Sequence, residues 1–365
     1  MVLQLLRLFL SRFILVVAAP KSGRHEGYSR RVEAVDKILS RQKLVYVFVN
    51  SDRFLGQAEA YGNSLYFRLH GRNPLHHLLF AFLVLRSQAI YCHSVFGVSR
   101  KLIRLWISAL RPRVVVDFHG LVPEETKSEG NTELAGALEN WERWIANRAV
   151  LLIVVSQQMR AHFVRKYPEL ASREFLVLPV VEAGSSARTP GVESKVDRLV
   201  VYSGGVQNWQ RIELMAQVIE GRPDFEYLIL SPDGESFSRL FPKESYPNVK
   251  IDYAEKGSYQ AAMERATFGF VLRRDEPINR VACPTKIFDY LSAGVIPIVE
   301  SEDIGDFRDM GMVSIPWQEF LKGKAFTKEF LRDAVDRNRQ VATSLVAQGD
   351  DAIKQLNERI RYRGC

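Results

Sequence analysis

Residues 268–299 read FGFVLRRDEPINRVACPTKIFDYLSAGVIPIV, and this stretch decides the fold. It starts with an apolar run of aromatic and β-branched residues, continues through a polar loop into a segment of helical period, and ends in a second apolar run at 295–299. Two short strands joined by a helix form the parallel βαβ unit. The stretch therefore predicts an α/β fold, with ligand-binding loops at the carboxyl ends of its strands.

The same alternation continues in both directions along the chain. In the first half, apolar runs predict strands at 13–19, 44–50, 64–69, 89–94, 114–118, 151–155 and, as a further candidate, 175–180. In the second half they predict strands at 199–203, 225–230, 249–253, 268–272 and 295–299. Apolar stripes at helical spacing lie between them, as in residues 102–110 and 134–145, whose tryptophans we assign to the core.

A polar segment that begins at Glu182 separates the two halves and shows no apolar period, as is typical of interdomain linkers. The 365 residues suit two domains of roughly 170 residues each. We predict a first Rossmann-like domain over 1–183, a linker over 184–197 and a second Rossmann-like domain over 198–345. Residues 346–365 are predicted to form a helix that returns to the first domain.

Composition limits the classes of partner and compartment. The net charge is +8, and Lys and Arg are spread along the chain without the aromatic-interleaved basic tract of nucleic-acid proteins. Partners that carry phosphate are therefore favoured, whether a nucleotide, a lipid phosphate or an anionic membrane surface. Three distant cysteines, Cys92, Cys283 and Cys365, support neither a disulfide framework nor a thiolate metal site, so we expect a cytoplasmic location.

The apolar N-terminal segment is interpreted as the start of the fold. Arg7 and Arg12 interrupt it, so no span of about 20 apolar residues remains to cross a bilayer. Pro20, directly after the segment, is unfavourable for signal-peptide cleavage. We therefore expect a buried strand at 13–19 and no export signal.

The predicted helix after residue 283 begins with groups that suit an anion. Pro284 fits the first position of a helix, where unbonded N–H groups and the helix dipole attract negative charge. Thr285 and Lys286 add a hydroxyl and a full positive charge, and Asp289 lies on the same face, about 6 Å further along the axis. That separation suits a diphosphate at one end and ribose hydroxyls at the other. The alternative is an ordinary surface ion pair between Lys286 and Asp289.

The letters from Pro284 to Gly294, with the Ile296-Pro297-Ile298-Val299 that follows, resemble the donor-site signature P-x-K-x-x-E-Y-L-A-x-G-x-P-V of family-four glycosyltransferases of the GT-B class. The resemblance implies two Rossmann-like domains facing a cleft. It also implies transfer of a sugar from a nucleotide sugar with retained anomeric configuration, with a UDP-sugar as first choice and a GDP-sugar as second. No cofactor is implied besides this donor.

Two positions depart from the family pattern. Asp289 stands where the family usually has glutamate, which shortens the reach to the ribose by one methylene. Eight residues before it, where the broader family has another glutamate, this chain has Val281, which cannot accept a hydrogen bond. Glu276 and Asp275, in the preceding loop, are the candidates to replace that acid.

A glycine turn and an arginine complete the predicted donor side. Gly204 and Gly205 follow the strand at 199–203, where small residues let the backbone approach phosphates, and an ordinary tight turn is the alternative. The basic pair that family members often carry after this turn is mostly missing. More of the phosphate charge would therefore fall to Lys286 and to Arg273, which follows the strand at 268–272.

The first half resembles the family in Asp117-Phe118-His119-Gly120-Leu121-Val122-Pro123-Glu124-Glu125. By this resemblance His119 faces the transferred sugar, and Glu124 or Glu125 shapes the acceptor side. A purely structural histidine is the alternative. The loop predicted at 20–31 contains Gly27, the candidate for contact with donor and acceptor, and its basic residues would alternatively form a solvated loop that touches anionic lipid.

The sequence therefore predicts a hexosyltransferase that acts on a glycan or polyprenyl-linked acceptor in cell-surface polysaccharide synthesis, with peripheral contact at the inner face of the plasma membrane. Lys286, Arg273 and the Thr285 amide are expected to stabilise the leaving diphosphate. No Asp-x-Asp follows a strand and no His or Cys pair has ligand spacing, so a metal-dependent transfer is not supported. Two alternatives stay open, a nucleotide-sugar 2-epimerase of the same architecture and a non-enzymatic two-lobed binding protein.

Overall fold

The structure is a computed structural model, and it describes residues 12–17, 26–39, 42–50, 54–61, 64–181, 195–252, 256–323 and 325–361. The chain divides into two compact units. The first unit comprises residues 1–179 together with 350–365, and the second comprises residues 180–349. Most of the segment predicted as a linker lies outside the described residues.

The first unit is built on an eight-stranded sheet in the order β3-β4-β2-β1-β5-β6-β7-β8. Its neighbouring strands are parallel except for the antiparallel pair β3–β4. Strands β1, β6 and β7 are buried along their whole length, which explains their uninterrupted apolar sequences. The strands are β1 Phe13–Val17, β2 Leu44–Asn50, β3 Gln57–Tyr61, β4 Ser64–His70, β5 Ser87–His93, β6 Val114–Phe118, β7 Leu151–Val154 and β8 Phe175–Val177.

The seven strands predicted in the first half are confirmed to within a few residues at their ends, and β3 is the one that was missed. Its sequence, QAEAY, has no apolar alternation, because it is an edge strand whose residues 58–60 are exposed. A strand without a buried face leaves no hydrophobic period to detect.

Before residue 180, the described part of the chain forms six α-helices beside this sheet. Asn73 caps the second of them by accepting a hydrogen bond from the backbone N–H of Leu75 at 3.0 Å, and Ser156 caps the sixth by accepting from Met159 N at 2.9 Å. The helices are α1 Glu26–Leu39, α2 Pro74–Arg86, α3 Lys101–Leu110, α4 Val122–Ser128, α5 Thr132–Ala146 and α6 Gln157–Lys166.

Two details of the sequence interpretation are wrong in this unit. The loop predicted at 20–31 ends earlier, because α1 begins at Glu26; Gly27 therefore lies in a helix, and residues 20–25 lie outside the described part of the chain. Trp106, Trp141 and Trp144 are only half-buried. The guanidinium of Arg104 lies 4.5 Å from the centroid of the Trp141 ring, and that of Arg148 lies at the same distance from Trp144. Two of these rings therefore form cation–π contacts with arginines and are not core residues.

The second unit is built on a six-stranded, all-parallel sheet in the order β11-β10-β9-β12-β13-β14. The five strands predicted here are confirmed, and the two-residue β14 was missed. The strands are β9 Val196–Ser203, β10 Glu226–Leu230, β11 Val249–Asp252, β12 Ala266–Val271, β13 Ile296–Val299 and β14 Ile315–Pro316. The helices are α7 Ile212–Gly221, α8 Gly234–Leu240, α9 Lys256–Arg265, α10 Pro277–Arg280, α11 Thr285–Ser292, α12 Trp317–Leu321 and α13 Lys328–Arg361.

Helix α13 contributes to both units. It begins at Lys328 and continues for 34 residues, far earlier than the helix expected at 346–365. Its residues after Gly349 belong to the first unit, where Ala352, Leu356 and Ile360 are buried in the same apolar cluster as β1. Within the described residues, none of the helices has both the length and the apolar character that crossing a membrane requires.

Candidate functional site

The first turn of α11 brings a cation to the glycine turn that follows β9. Pro284 is the N-cap, with φ −67° and ψ 125°, so the helix begins one residue later than predicted, at Thr285. From this turn Lys286 extends to the β9 loop, where its Nζ donates to Gln210 Oε1 at 2.8 Å and lies 4.1 Å from the centroid of the Tyr202 ring. The helix start, the turn and the cation are therefore assembled in one place.

Positive charge is concentrated at this place. Arg273 directly follows the leucine at the end of the β12 run, and its guanidinium donates to Asn279 Oδ1 at 3.1 Å. Burial, and then the positive charge of Arg273, lower the pKa of the Lys286 ammonium well below its ordinary value. Two cations near one helix N-terminus form a preorganised site for an anion, because the helix dipole adds further positive potential.

This electrostatic situation gives a pH-dependent binding prediction. A bound diphosphate would restore the pKa of Lys286 upwards, so binding should take up protons, and affinity should fall as pH rises through the interval between the free and bound pKa values. We expect proton uptake in calorimetric titrations of UDP that are repeated over a series of pH values above the second phosphate ionisation, near about 6, in buffers of different ionisation enthalpy. The Lys286→Arg variant should lose the uptake; uptake that persists in it would contradict this assignment.

Gly204 is the residue on which this arrangement depends. Its φ of 148° is a conformation that favours glycine, and a Cβ atom there would lie 3.1 Å from the Tyr202 hydroxyl and 3.2 Å from Lys286 Nζ. The Tyr202 hydroxyl in turn donates to the carbonyl of Gly205 at 2.6 Å and fixes the turn. For a Cβ atom at Gly205, the three nearest atoms would instead all belong to the side chain of Gln207, which can rotate away.

The two glycines therefore form a matched pair for mutagenesis. Gly204→Ala should weaken binding of UDP by at least about tenfold, since backbone strain of about 1–3 kcal/mol adds to displacement of Lys286. Gly205→Ala should change the affinity by less than about twofold. Titration calorimetry of both variants measures the difference, and equal effects would show that the turn acts only as a tight connection.

Tyr290 holds α11 against the sheet, and sequence reasoning missed this role. Its buried hydroxyl accepts a hydrogen bond from the backbone N–H of Ser203 at 3.1 Å and donates to the carbonyl of Val201 at 3.3 Å. A Cβ atom at Gly269, in β12, would lie 2.5 Å from the tyrosine ring, so the glycine makes room for it. The tyrosine letter of the motif was the available signal, because a buried phenol needs hydrogen-bond partners.

The acidic residues of the predicted donor side have different surroundings. Asp289 is half-buried in the second turn of α11, and Glu276 is the N-cap of α10 with its carboxylate near Arg211. Arg211 itself makes a two-bond pair with Glu300, at 2.9 and 3.2 Å, at the end of β13. Asp275 is exposed and pairs with Arg280. Both candidates for the missing acid at the buried Val281 thus lie near a cation, and they differ in burial, because Glu276 is half-buried whereas Asp275 is exposed.

In the first unit, His119 follows β6 next to a buried ion pair. Asp117 and Arg31 are almost completely buried, and both guanidinium bonds to the carboxylate measure 3.0 Å. Tyr91 adds a third donor to Asp117 at 2.9 Å. Burial lowers the pKa of His119 to about 4, and the nearby Asp117 carboxylate only partly opposes this shift. At neutral pH the half-buried imidazole is therefore uncharged and can exchange hydrogen bonds with a sugar hydroxyl.

Sequence reasoning missed the residues that support His119. Arg31 was predicted to end the loop at 20–31, yet it lies in α1 and also donates to the carbonyls of Leu178 and Pro179, at 3.1 and 3.4 Å. Buried His93 has its ring nitrogens 4.0 Å from Asp117 and 3.8 Å from Asp36. No local sequence pattern predicts these contacts, because each of them joins residues that are far apart in the sequence.

The two glutamates predicted on the acceptor side face different neighbours. Lys166 binds Glu124 at 2.8 Å, and His162 lies 3.5 Å from the same carboxylate. Lys166 also binds the buried Glu142 at 2.8 Å. The Glu125 carboxylate instead lies over Gly120, where a Cβ atom would be 2.6 Å from Oε1. Glu125 is thus beside His119, whereas Glu124 belongs to a network among α4, α5 and α6.

Comparison with known proteins agrees with this architecture. Residues 15–179 match the family model described as Glycosyltransferase Family 4. No curated protein sequence matches the chain.

Solved structures match over nearly the whole length. Sucrose-phosphate synthase from Thermosynechococcus elongatus is 14% identical, with a TM-score of 0.67, covering 96% of this chain and 98% of its own. The α,α-trehalose-phosphate synthase (UDP-forming) from Burkholderia vietnamiensis is 10% identical, with a TM-score of 0.58, and the match covers 95% of this chain and 100% of that one. A trehalose-6-phosphate structure from E. coli bound with UDP-2-fluoro glucose is 12% identical, with a TM-score of 0.62, covering 97% and 100%.

These matches confirm the predicted fold class, with two Rossmann-like units. The family match covers the first unit up to the residue at which the chain passes into the second. The chain therefore has the GT-B glycosyltransferase fold, and residues 15–179 of its first unit match the family-four glycosyltransferase model.

Proposed function

We propose that the chain is a retaining hexosyltransferase that moves a sugar from a nucleotide sugar to a glycan or polyprenyl-linked acceptor in cell-surface polysaccharide synthesis. The observation that carries the proposal is the placement of Lys286 Nζ against the Gly204 turn, beside Arg273 and the start of α11. A UDP-sugar is the first choice of donor. The fold neighbours support it, since one is UDP-forming and another is bound with UDP-2-fluoro glucose.

The main donor-site residues of the second unit have the following proposed roles in this reaction. The leaving diphosphate lies over Gly204, and its growing negative charge is stabilised by Lys286, Arg273 and the amide N–H of Thr285. These groups are held in place before the reaction, so they need no reorganisation as the anomeric bond breaks. Asp289 accepts hydrogen bonds from the ribose diol, and the proposal includes no cofactor besides the donor.

In the first unit, neutral His119 donates a hydrogen bond to the transferred sugar. Its pKa of about 4 keeps it uncharged, so it does not compete with the cations for the diphosphate. Glu125 is the proposed acceptor contact because it lies beside Gly120, next to His119. Glu124 is excluded from the proposal since Lys166 and His162 hold it.

The proposed acceptor class has one specific alternative, and an experiment can separate the two. The fold neighbours are named for sucrose-phosphate and trehalose-phosphate, which favours a sugar phosphate as the second candidate. Radiolabelled UDP-sugars incubated with sugar phosphates in one arm, and with polyprenyl-linked glycans in detergent in the other, separate the two. Labelled lipid extract supports the proposal, whereas label only in the water-soluble phosphate fraction replaces it by the second candidate.

The donor is identified first by a thermal-shift screen with UDP-, GDP- and ADP-sugars. Stabilisation by one nucleotide class, lost in Lys286→Ala, supports the donor site. Donor incubated alone tests the remaining alternatives: epimerised sugar with free nucleotide indicates a 2-epimerase. Binding without turnover in the presence of all acceptors indicates a binding protein.

A further inference from the structure

Trp209 presents an exposed ring beside the predicted donor site. It lies in the short turn Asn208–Gln210 of the loop after β9, and it is 47% exposed. Each of the other four tryptophans contacts a histidine, an arginine or the core of the second unit. They are Trp106, Trp141, Trp144 and Trp317. Within the part of the chain that the structure describes, the Trp209 indole makes none of these three kinds of contact.

The backbone that carries this ring is held on both sides. The backbone N–H of Gln210 donates to the carbonyl of Gln207 at 2.8 Å, and its side-chain oxygen accepts from Lys286 Nζ at 2.8 Å. Arg211, the N-cap of α7, has φ 54° and ψ 50°, a left-handed conformation that is uncommon for a residue with a side chain. Its two bonds to Glu300 hold it there. A large ring on such a backbone loses little conformational freedom when a ligand covers it.

The polar groups near this turn suit a sugar ring. Glu300 directly follows β13 and is 20% exposed, and the carboxylate of Glu276 lies near Arg211. A hexose has an apolar face of C–H bonds and a rim of hydroxyl groups that both donate and accept hydrogen bonds. An aromatic face beside carboxylates and a guanidinium offers matching partners to both parts of such a ring.

The position of Trp209 favours the transferred sugar over the nucleobase. Asp289, the proposed partner of the ribose, lies three residues after Lys286, which is about 4.5 Å further along α11. The nucleoside of a bound donor would therefore extend towards the second turn of that helix. Trp209 instead lies two residues before Arg211, whose charged neighbour Glu276 belongs to the segment that precedes the helix. This is the side of the diphosphate on which the sugar would lie.

From this arrangement we propose that Trp209 is a sugar platform, whose indole stacks on the apolar face of the hexose that the donor carries. The Arg211–Glu300 pair beside it offers hydrogen-bond partners to the hydroxyl groups of that hexose. The inference rests on the proposed function. It adds to that function the residue by which the chain prefers a nucleotide sugar to the free nucleotide.

The test compares UDP-glucose with UDP in titration calorimetry, or GDP-mannose with GDP if the thermal-shift screen selects guanosine. Trp209→Ala should weaken binding of the nucleotide sugar at least about fivefold, and binding of the free nucleotide by less than about twofold. Trp209→Phe keeps an aromatic face and should recover most of the loss. The control Leu240→Ala removes a 50% exposed apolar side chain of the same unit and should bind both ligands like the unchanged chain.

Tryptophan fluorescence adds a readout that a purely structural role would not change. Stacking removes an exposed indole from water, so the nucleotide sugar should shift the emission of the unchanged chain to shorter wavelength. The free nucleotide should not, and Trp209→Phe should abolish the shift.

The outcomes separate this inference from the proposed function. Equal losses for both ligands in Trp209→Ala, or a loss for neither, overturn the inference, whereas retained binding of the free nucleotide leaves the donor site intact. If the unchanged chain binds neither nucleotide nor nucleotide sugar, the proposed function fails and the inference fails with it.

Discussion

Replacing Lys286 with alanine is expected to lower kcat/KM for the donor by about 10²–10³-fold, the usual effect of removing one preorganised group that stabilises transition-state charge. The loss should appear mainly in kcat, since the charge on the diphosphate grows as the anomeric bond breaks. The stability of the folded state should not decrease in this variant. Burial and Arg273 already disfavour the charged ammonium, so its removal relieves an electrostatic cost.

Steady-state kinetics and thermal unfolding of the same variants check this expectation. Lys322→Ala is the control, because this lysine is 67% exposed and pairs only with Glu319, three residues earlier in α12, among the described ion pairs. Asp289→Ala should raise KM more than it lowers kcat, since the ribose diol changes little during the reaction. Unchanged turnover in both Lys286→Ala and Asp289→Ala would remove the basis for the donor-site assignment.

The largest expected loss of stability is that of Arg31→Met. It leaves Asp117 as a buried charge without its cation, for which the cost is about 3–5 kcal/mol. The double variant Arg31→Met with Asp117→Leu should be less destabilised than the sum of the single variants, because it leaves no uncompensated charge. Chemical denaturation of the three variants measures the coupling.

An exposed ion pair in the same unit is the control. Arg143 binds Glu169 at 2.7 Å and is 61% exposed, so Arg143→Met should change the free energy of unfolding by less than about 1 kcal/mol. Burial alone would raise the pKa of Asp117, but Arg31, His119 and His93 outweigh it and hold it at about 2. A carboxyl group whose pKa is lowered by folding stabilises the fold at pH values above its pKa in the unfolded chain. This stabilisation is lost as the pH falls towards about 2. Equal losses for Arg31→Met and Arg143→Met would contradict the assigned burial.

The parts of this fold that the sequence predicts are those with a local hydrophobic signature. Central strands such as β6 are apolar throughout because both faces are covered, and their ends were predicted closely. Edge strand β3 has no covered side, and the start of α1 at Glu26 lacks a pattern distinct from a basic loop. Boundaries of that kind depend on contacts that only the folded chain makes.

For the site, the motif predicts which residues carry charge and the structure shows what positions them. Lys286 and Gly204 lie close together, since Gly204 follows β9 and Lys286 lies in the first turn of the helix after β12, which is the parallel neighbour of β9. Their supports, Tyr290 on α11 and Gln210 on the β9 loop, are recognisable only by distance in space. The same holds for Arg31, whose partner Asp117 is 86 positions away.

The course of α13 has a consequence for the order of events during synthesis. The ribosome completes the sheet of the first unit early, but Ala352, Leu356 and Ile360, which close one apolar side of it, are translated after the whole second unit. Until then this side of the sheet lacks the part of its apolar cover that these three residues supply, which gives a chaperone that binds exposed apolar surface a defined place to act. The first unit can therefore complete its fold only after the second unit has been translated.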